Sequence, residues 1–222
     1  MFLVAVNYPN EVNQEIFLSR DVFDVKFFNE PKWFMFSYKL LKFLTENKNK
    51  YDLLFHFGLC WTQNQDEIWK LYKIDRTFLF GSNIIDNQRF KNWSFSFQNI
   101  PNSNIATKFT LWPNPQQIYD FAQIFDLETF WVAGVSNQIW IPVFSVKWVS
   151  DTNDTIWWEN IDETEFLLNP EMKRKKKDFY IEKLQQNINI VNHNLNDFFE
   201  NEFLDFYKKF SKDKDFKKSF YI

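Results

Sequence analysis

The sequence predicts an α/β fold of three layers, α/β/α, with a central mixed sheet, in one domain that spans residues 1–222. Two observations predict it. Short continuous apolar runs, of which Phe2–Val6 is the first, are typical of strands that are buried on both faces. Segments with apolar residues at helical spacing separate these runs, and that alternation favours a layered α/β architecture. The sequence shows no internal repeat and no convincing boundary of a second domain.

The first half of the chain alternates between such runs and amphipathic segments. The run at 2–6 ends in Asn7-Tyr8-Pro9-Asn10, a combination typical of turns. A core-facing helix follows from the spacing of Trp33, Phe36, Leu40 and Leu44. The predicted strands here are 2–6, 22–28, 52–58 and 77–81, and the predicted helices are 11–17 and 32–45.

The second half is less regular. Residues 82–104 are rich in Asn, Ser, Gln and Phe without a clear period, so we predict a long loop or an irregular hairpin. Pro115 can open a helix because its ring fixes φ at a helical value. The predicted strands are 105–111 and 143–149, and the predicted helices are 115–125, 130–139 and a helical region from 162 onward, strongest over 184–210.

Composition limits the classes of function. The formal net charge is −3, so a nucleic-acid-binding surface is not indicated. No apolar stretch approaches the length of a membrane span, and the single cysteine, Cys60, favours a cytoplasmic protein without a disulfide. The basic run at 173–177 is interpreted as a solvated loop or helix start, although it could contact an anion. The aromatic share of 21% indicates either a codon preference or an aromatic ligand site.

Three carboxylates stand at positions where α/β proteins collect ligand-binding groups. Glu128, the last residue of the stretch Asp126-Leu127-Glu128, precedes a predicted helix. Asp151 follows the strand at 143–149, and Glu11 follows the first strand. Ligands of open α/β sheets bind outside the carboxyl ends of the strands. Each acid also has a structural interpretation. Asp151 could cap a turn or a helix, and Glu128 or Glu11 could favour a helix N-terminus.

These residues carry a resemblance to a known family. Leu127-Glu128 resembles the Met-Glu pair of the nucleoside phosphorylase and nucleosidase family, and the stretch from Pro142 to Asp151 resembles its Pro-strand-Ser-Asp block. Glu11-Val12 stands at the family's Glu-Val position. The methylthioadenosine/S-adenosylhomocysteine nucleosidase branch is the most similar, and about a third of the chain aligns in this way.

The resemblance implies a purine nucleoside N-ribosyl hydrolase that acts on an adenosine-type or 5′-modified nucleoside, without cofactor or metal. Asp151 would protonate the purine at N7, and Glu128 would bind the ribose hydroxyls. Glu11 would hold and activate the attacking water. The resemblance also implies a homo-oligomer, with a small-molecule nucleoside as ligand and neither nucleic acid nor membrane as partner.

Further side chains complete the candidate site. Leu127 and Ser150 are implied as substrate-binding by their place in the two motifs. Phe109 and Trp112 could stack on the base, although core packing is the simpler interpretation. His56 lies inside an apolar run and is predicted to be a hydrogen-bonded core residue.

The chain departs from the family at its glycine-rich segments. A turn of bulky residues, Gly58-Leu59-Cys60-Trp61-Thr62, replaces a turn rich in Gly and Ala, and the Gly-Asp pair before the next strand is missing. Loss of these loops disfavours phosphate as the nucleophile more than it disfavours water. An alternative therefore stays open: a non-catalytic protein of this fold that binds a nucleoside-like ligand or serves in assembly. A chance match in an unrelated α/β domain is a third possibility.

Overall fold

The computed structural model is an α/β fold with a central mixed sheet. It describes residues 1–18, 20–30, 33–47, 49–81, 84–88, 100–108, 122–152 and 170–219. Its strands are β1 Phe2–Val6, β2 Phe23–Phe27, β3 Leu53–Thr62, β4 Leu71–Gly81, β5 Ile84–Gln88, β6 Asn102–Lys108, β7 Ile124–Asp126 and β8 Val143–Thr152. Its helices are α1 Glu15–Leu18, α2 Trp33–Glu46, α3 Thr129–Ile139, α4 Pro170–Phe198, α5 Leu204–Lys212 and α6 Lys214–Ser219, with 3₁₀ turns at Pro9–Glu11 and Gln65–Glu67 and a π-helical turn at Phe199–Phe203.

Part of the sheet closes on itself. β1 lies between β2 and β3, and all three run parallel. β3 also pairs with β8 in parallel, while β8 and β4 are antiparallel. β4 and β6 are parallel, β6 and β7 are parallel, and β7 returns to β3 in the antiparallel sense. The ring β3-β7-β6-β4-β8 is therefore barrel-like. The predicted mixed sheet is confirmed, but three flat layers do not describe the closed part.

The apolar strands are continuous runs because helices cover both of their faces. On one face, Phe2, Val4 and Phe55 are buried against α1, α4 and α5. On the other face, Leu3 and Leu54 are buried against α2 and α3. Successive side chains of a strand point to opposite faces, so a strand buried on both sides needs apolar residues at every position.

Most predicted elements are confirmed by β1, β2, α2, α3, β8 and the α4–α5 region. The predicted helix at 11–17 is shorter: a 3₁₀ turn ends at Glu11 and α1 covers only Glu15–Leu18. The region 82–104 contains β5, which forms a hairpin with β4, and the start of β6. None of the helices in the described ranges is long and apolar enough to cross a membrane.

Two predictions about segment ends were wrong. The predicted helix 115–125 lies largely outside the described residues, but Ile124 and Phe125 belong to β7 because both pair with β3 and β6. The predicted turn at 58–62 is strand, since β3 continues beside β8 as far as Thr62. Pairing with distant strands decides both cases, and local sequence does not contain that information.

Candidate functional site

Three side chains from different elements surround one glycine of the sheet, and a fourth, that of Asp126, contacts one of the three. Gly58 lies in β3 directly opposite Lys147 of β8. Glu11 ends the 3₁₀ turn that follows β1. Glu128 lies at the N-cap position of α3, and Asp126 ends β7. The parallel strands β1, β3 and β8 thus bring residues far apart in sequence to one place.

Gly58 is required here by close approach. A Cβ atom at this position would lie 2.9 Å from Nζ of Lys147. It would lie 3.5 Å from Oε2 of Glu11 and 3.7 Å from Oε2 of Glu128. The absent side chain therefore leaves space that two carboxylates and one ammonium group share. We call Glu11, Gly58, Asp126, Glu128 and Lys147 the charged cluster.

Asp126 is the main partner of the buried cation. Lys147 is fully buried, and its Nζ lies 3.0 Å from Asp126 Oδ2 and 3.9 Å from Glu128 Oε2. Asp126 also accepts hydrogen bonds from Thr107 Oγ1 at 2.7 Å, from the Thr129 backbone N–H at 2.9 Å and from the Thr129 hydroxyl. A buried ion pair persists when its remaining lone pairs are satisfied in this way.

The pKa values of this pair favour the charged forms. Burial alone raises the pKa of Asp126, but Lys147 and the two threonine hydroxyls outweigh burial and hold the pKa below its ordinary value. Burial lowers the pKa of Lys147, but Asp126, Glu128 and Glu11 outweigh it and raise the pKa. The cluster therefore contains a permanent positive charge.

Glu11 behaves differently from Asp126. Burial raises its pKa well above the ordinary value, Glu128 raises it further, and Lys147 opposes both effects. Its Oε2 is buried and has no hydrogen-bond partner among the residues that the structure describes. A buried acceptor without a partner costs free energy unless a ligand or water supplies a donor. Glu11 thus keeps its proton to higher pH than an exposed glutamate does, and its Oε2 is open to a hydrogen bond from a ligand or water.

His56 is confirmed as a hydrogen-bonded core residue. Its Nδ1 lies 3.0 Å from Ser145 Oγ, and its Nε2 lies 3.4 Å from Lys147 Nζ. Burial and Lys147 lower the pKa of His56 to about 4, so the ring is neutral at pH 7. Because an ammonium group can only donate, Nε2 accepts and we assign the proton to Nδ1.

Asp151 lies farther along the same sheet. It belongs to β8, one residue before the strand ends, and it pairs with Trp61 of β3. Trp61 is three residues beyond Gly58, which corresponds to about 10 Å along a strand. The neighbouring Ser150 is buried, and its hydroxyl donates to the backbone carbonyl of Cys60 at 3.2 Å. The sequence predicted Asp151 just past the end of the strand, and this was wrong: Asp151 lies within β8.

The structure locates the other predicted site residues only in part. Leu127 is half-buried between β7 and α3. Phe109 and Trp112 lie outside the described residues. The bulky side chains after Gly58 pack in hydrophobic clusters. Leu59 packs against the cluster that contains Phe55 and Phe57. Trp61 packs against a smaller cluster formed by Phe78, Ala106, Ala122 and Phe125.

Sequence reasoning missed Lys147 and the role of Asp126. A signal was available for the first, because a lysine inside the apolar run 143–149 must find a buried partner. Among the described residues, no group of three or more His, Cys, Asp and Glu side chains could hold a metal ion. The cation within the charged cluster is the ammonium group of Lys147.

The closed sheet and its flanking helices define the fold of the 5′-methylthioadenosine/S-adenosylhomocysteine nucleosidases (MTANs). A structure of the MTAN from Chlamydia trachomatis bound to adenine has a TM-score of 0.58 and 14% identity, and the match covers 94% of this chain and 98% of that chain. The resemblance predicted from the sequence is therefore confirmed for the fold.

Two further structures have the same fold. The MTAN from Campylobacter jejuni gives a TM-score of 0.56 at 11% identity, with 88% of this chain and 98% of that chain covered. The 5′-methylthioadenosine nucleosidase from Arabidopsis thaliana gives 0.53 at 16% identity, with 86% and 97% covered. No family model matches the sequence, and no curated protein matches it. The likeness is thus one of fold, with little shared sequence.

Proposed function

We propose that the protein is a purine nucleoside N-ribosyl hydrolase for an adenosine-type or 5′-modified nucleoside. The observation that carries the proposal is the convergence of Glu11, Glu128 and Lys147 around Gly58. Structures of the same fold support the choice of ligand, because Chlamydia trachomatis MTAN is described bound to adenine and, as a variant, to MTA.

Glu11 and Lys147 suit the binding of a nucleophilic water. The water would donate to Oε2 of Glu11, which has an open position, and Lys147 can donate to the water. A carboxyl group with a raised pKa is a stronger base once it is ionised, and it then accepts the proton that the water loses. General acid–base assistance of this kind is typically worth about 10²–10⁴-fold in rate.

Glu128 and Asp151 would act at opposite ends of the nucleoside. Glu128 would accept hydrogen bonds from the ribose hydroxyls and stabilise the positive charge that builds on the sugar. Asp151, about 10 Å along β3 from Gly58, would donate a proton to N7 of the base. A nucleoside that spans this distance would place its ribose at Glu128 and its base at Asp151.

The proposed reaction balances as a hydrolysis. The bond between C1′ and N9 breaks, and its electron pair stays on the base, which takes the proton from Asp151. The water oxygen bonds to C1′, and its proton passes to Glu11. The products are a free purine and a ribose that keeps its 5′ substituent.

Water is favoured over phosphate as the nucleophile. Carboxylate oxygens of Glu11 and Glu128 both lie close to Gly58. A phosphate dianion bound beside them would be repelled by both, and only Lys147 would compensate. A neutral water has no such cost.

A second candidate is a non-catalytic protein of this fold that binds a nucleoside-like ligand. The position of Trp61 favours it, since a large side chain pairs with Asp151 where the family has a small residue. A cytoplasmic location, self-association and a single domain also stay predictions.

Release of free base tests the proposal. We expect the protein to release adenine from adenosine or from MTA, as measured by chromatography. Asp151→Asn should lower the rate about 10²-fold or more, since it removes the proton donor. Asp66→Asn, at an exposed position, is the matched control and should keep the wild-type rate. Nucleoside binding without any base release by the folded protein would favour the non-catalytic candidate.

A further inference from the structure

Asn7 joins three segments at the edge of the charged cluster. It directly follows β1 and is 1% exposed. Its backbone carbonyl accepts from Asn29 N–H at 2.7 Å, and its side chain contacts Glu30 and Glu128. Sequence reasoning interpreted Asn7 only as a turn residue.

The orientation of the Asn7 amide is fixed by its surroundings. Oδ1 accepts from the Glu30 backbone N–H at 2.9 Å. Nδ2 donates to the Glu30 carbonyl at 3.1 Å and to Oε1 of Glu128 at 2.7 Å. Rotation of the amide by 180° would set its oxygen against a carbonyl and a carboxylate, and would leave the Glu30 N–H facing an NH₂ group. Both amide hydrogens are therefore committed.

The Glu30 segment that holds Asn7 is itself anchored. Tyr8 donates its hydroxyl to the Glu30 carbonyl at 2.7 Å, and Lys39 contacts the Glu30 carboxylate. Asn29 adopts a left-handed backbone with φ 51°, which lets the chain turn back toward β1. Asn7 is thus held from one side and donates to Glu128 on the other.

We infer that Asn7 is the positioning residue that orients Glu128 toward the vicinal hydroxyls of a ribose. By binding Oε1, it leaves Oε2 on the side of Glu128 that faces Gly58. The inference rests on the proposed function, because it assumes a ribosyl ligand next to Glu128. It adds that a residue outside the charged cluster determines the selectivity for a sugar that carries both hydroxyl groups.

The contact is of the strong type. An amide N–H that donates to a carboxylate makes a short charge-assisted hydrogen bond, and 2.7 Å is at the short end of that range. Loss of a hydrogen bond to a charged group typically corresponds to about 10- to 100-fold in an equilibrium constant. The ribose part of the binding affinity should change by a factor of this size.

The experiment measures that part without requiring turnover. Calorimetry gives Kd for 9-deazaadenosine, whose ribosyl carbon–carbon bond cannot be hydrolysed, and for 9-deazaadenine, the base alone. The Kd of 9-deazaadenine divided by the Kd of 9-deazaadenosine gives the factor by which the ribose strengthens binding. We call this ratio the ribose contribution. We expect Asn7→Asp to reduce this ratio about tenfold or more, because it sets a carboxylate against Glu128. Asn64→Asp is the matched control, since the exposed Asn64 side chain can still accept from Asp66 N–H as a carboxylate.

A second variant separates positioning from a merely structural role. Asn7→Ala and Glu128→Gln should each reduce the ribose contribution, while their combination should reduce it no further than Glu128→Gln alone. Additive losses, or an Asn7→Ala variant that keeps the wild-type ratio, would overturn the inference. Asn7→Ala also replaces Asn7→Asp if the latter does not fold, as judged by its thermal melting.

The outcomes for the two proposals can be told apart. A ribose contribution that depends on Asn7, without release of base from adenosine or MTA, supports the inference and contradicts the proposed hydrolysis. A wild-type protein that binds 9-deazaadenosine no better than 9-deazaadenine overturns the inference, whatever its activity.

Discussion

The two faces of β3 lie in different environments, one charged and one aromatic. One face carries His56 and Gly58 and faces the charged cluster, in which Lys147 is fully buried among carboxylates. The other face carries Phe55 and Phe57 and is covered by aromatic side chains of α4, the π-helical turn and α5. Alternation along a strand allows neighbouring residues to belong to environments of opposite character.

The aromatic face is redundant. The Phe203 ring centroid lies 5.3 Å from that of Phe199, 5.4 Å from Phe23, 5.6 Å from Phe2 and 5.8 Å from Phe55. Each contact is one of several, and dispersion acts without a required direction. The charged face lacks such alternative contacts, because the buried Lys147 ammonium group has few partners. The two faces should therefore respond differently to substitution.

The largest loss of stability is expected from Asp126→Asn. It removes the charge nearest to the buried Lys147 ammonium while the shape is kept. Breaking a buried ion pair on one side typically costs about 3–5 kcal/mol. Chemical denaturation should show this decrease in the free energy of unfolding. Asp66→Asn, an exposed change of the same kind, should leave stability unchanged.

Gly58→Ala should have a smaller effect on stability and a large one on ligand binding. The new methyl group would lie 2.9 Å from Lys147 Nζ, so the ammonium group must move away from its place. Overpacking of this kind typically costs about 1–3 kcal/mol. Calorimetry with 9-deazaadenosine should show the loss of affinity.

Gly134→Ala is the matched control for Gly58→Ala. A Cβ at Gly134, inside α3, would meet nothing within 4 Å. Alanine in a helix interior is more stable than glycine by roughly 0.5–1 kcal/mol. The control variant should therefore gain stability and keep its ligand affinity. Equal behaviour of the two variants would contradict a special role for Gly58.

Phe203→Leu tests the aromatic face. The neighbouring rings can adjust around a smaller apolar side chain, so we expect a loss of about 1.5 kcal/mol or less. The rate of base release should not change, because the residue lies on the face of the sheet away from the charged cluster. A loss as large as that of Asp126→Asn would show that the aromatic packing is not redundant.

Glu11→Gln should be more stable than the wild type, and the difference in stability should grow as pH rises. Burial raises the pKa of Glu11, so the folded state holds its proton to higher pH than the unfolded state. The contribution of Glu11 to the stability of the wild type then decreases as pH rises above the pKa that Glu11 has in the unfolded state, about 4.3. The gain in Tm of the variant should be small near pH 4 and should grow until the pH passes the folded pKa. Glu15→Gln, at an exposed position, is the matched control and should change Tm little.

The comparison also explains what the sequence could predict. Strands such as β1 and β8, with apolar residues at most positions, and α2, with an apolar stripe, reveal themselves through local periodicity. β7 has only three residues and is a strand because β3 and β6 pair with it. No local pattern encodes such pairing.

The candidate site divides in the same way. Glu11, Glu128 and Asp151 could be proposed from the sequence because they stand at recognisable motif positions. The structure brings Glu11 and Glu128 together, and the role of Asp151 stays a prediction. Lys147, Asp126 and Asn7 could not be assigned, since their roles depend on contacts between distant residues. Lys147 lies 21 positions from Asp126, and Asn7 lies 121 positions from Glu128. The role of a single lysine in an apolar strand can be assigned only when the residues that it contacts are known.

The most direct test of the charged cluster as a hydrolytic site is the rate of adenine release from MTA by wild-type protein and by Glu11→Gln. We expect the wild type to release adenine, at a rate that falls as pH falls through the raised pKa of Glu11. Glu11→Gln should be slower by about 10²-fold or more above that pKa, where wild-type Glu11 is ionised, and the difference should narrow below it. Equal rates in the two proteins above that pKa, or no adenine from the folded wild type, would contradict a hydrolytic role of the charged cluster.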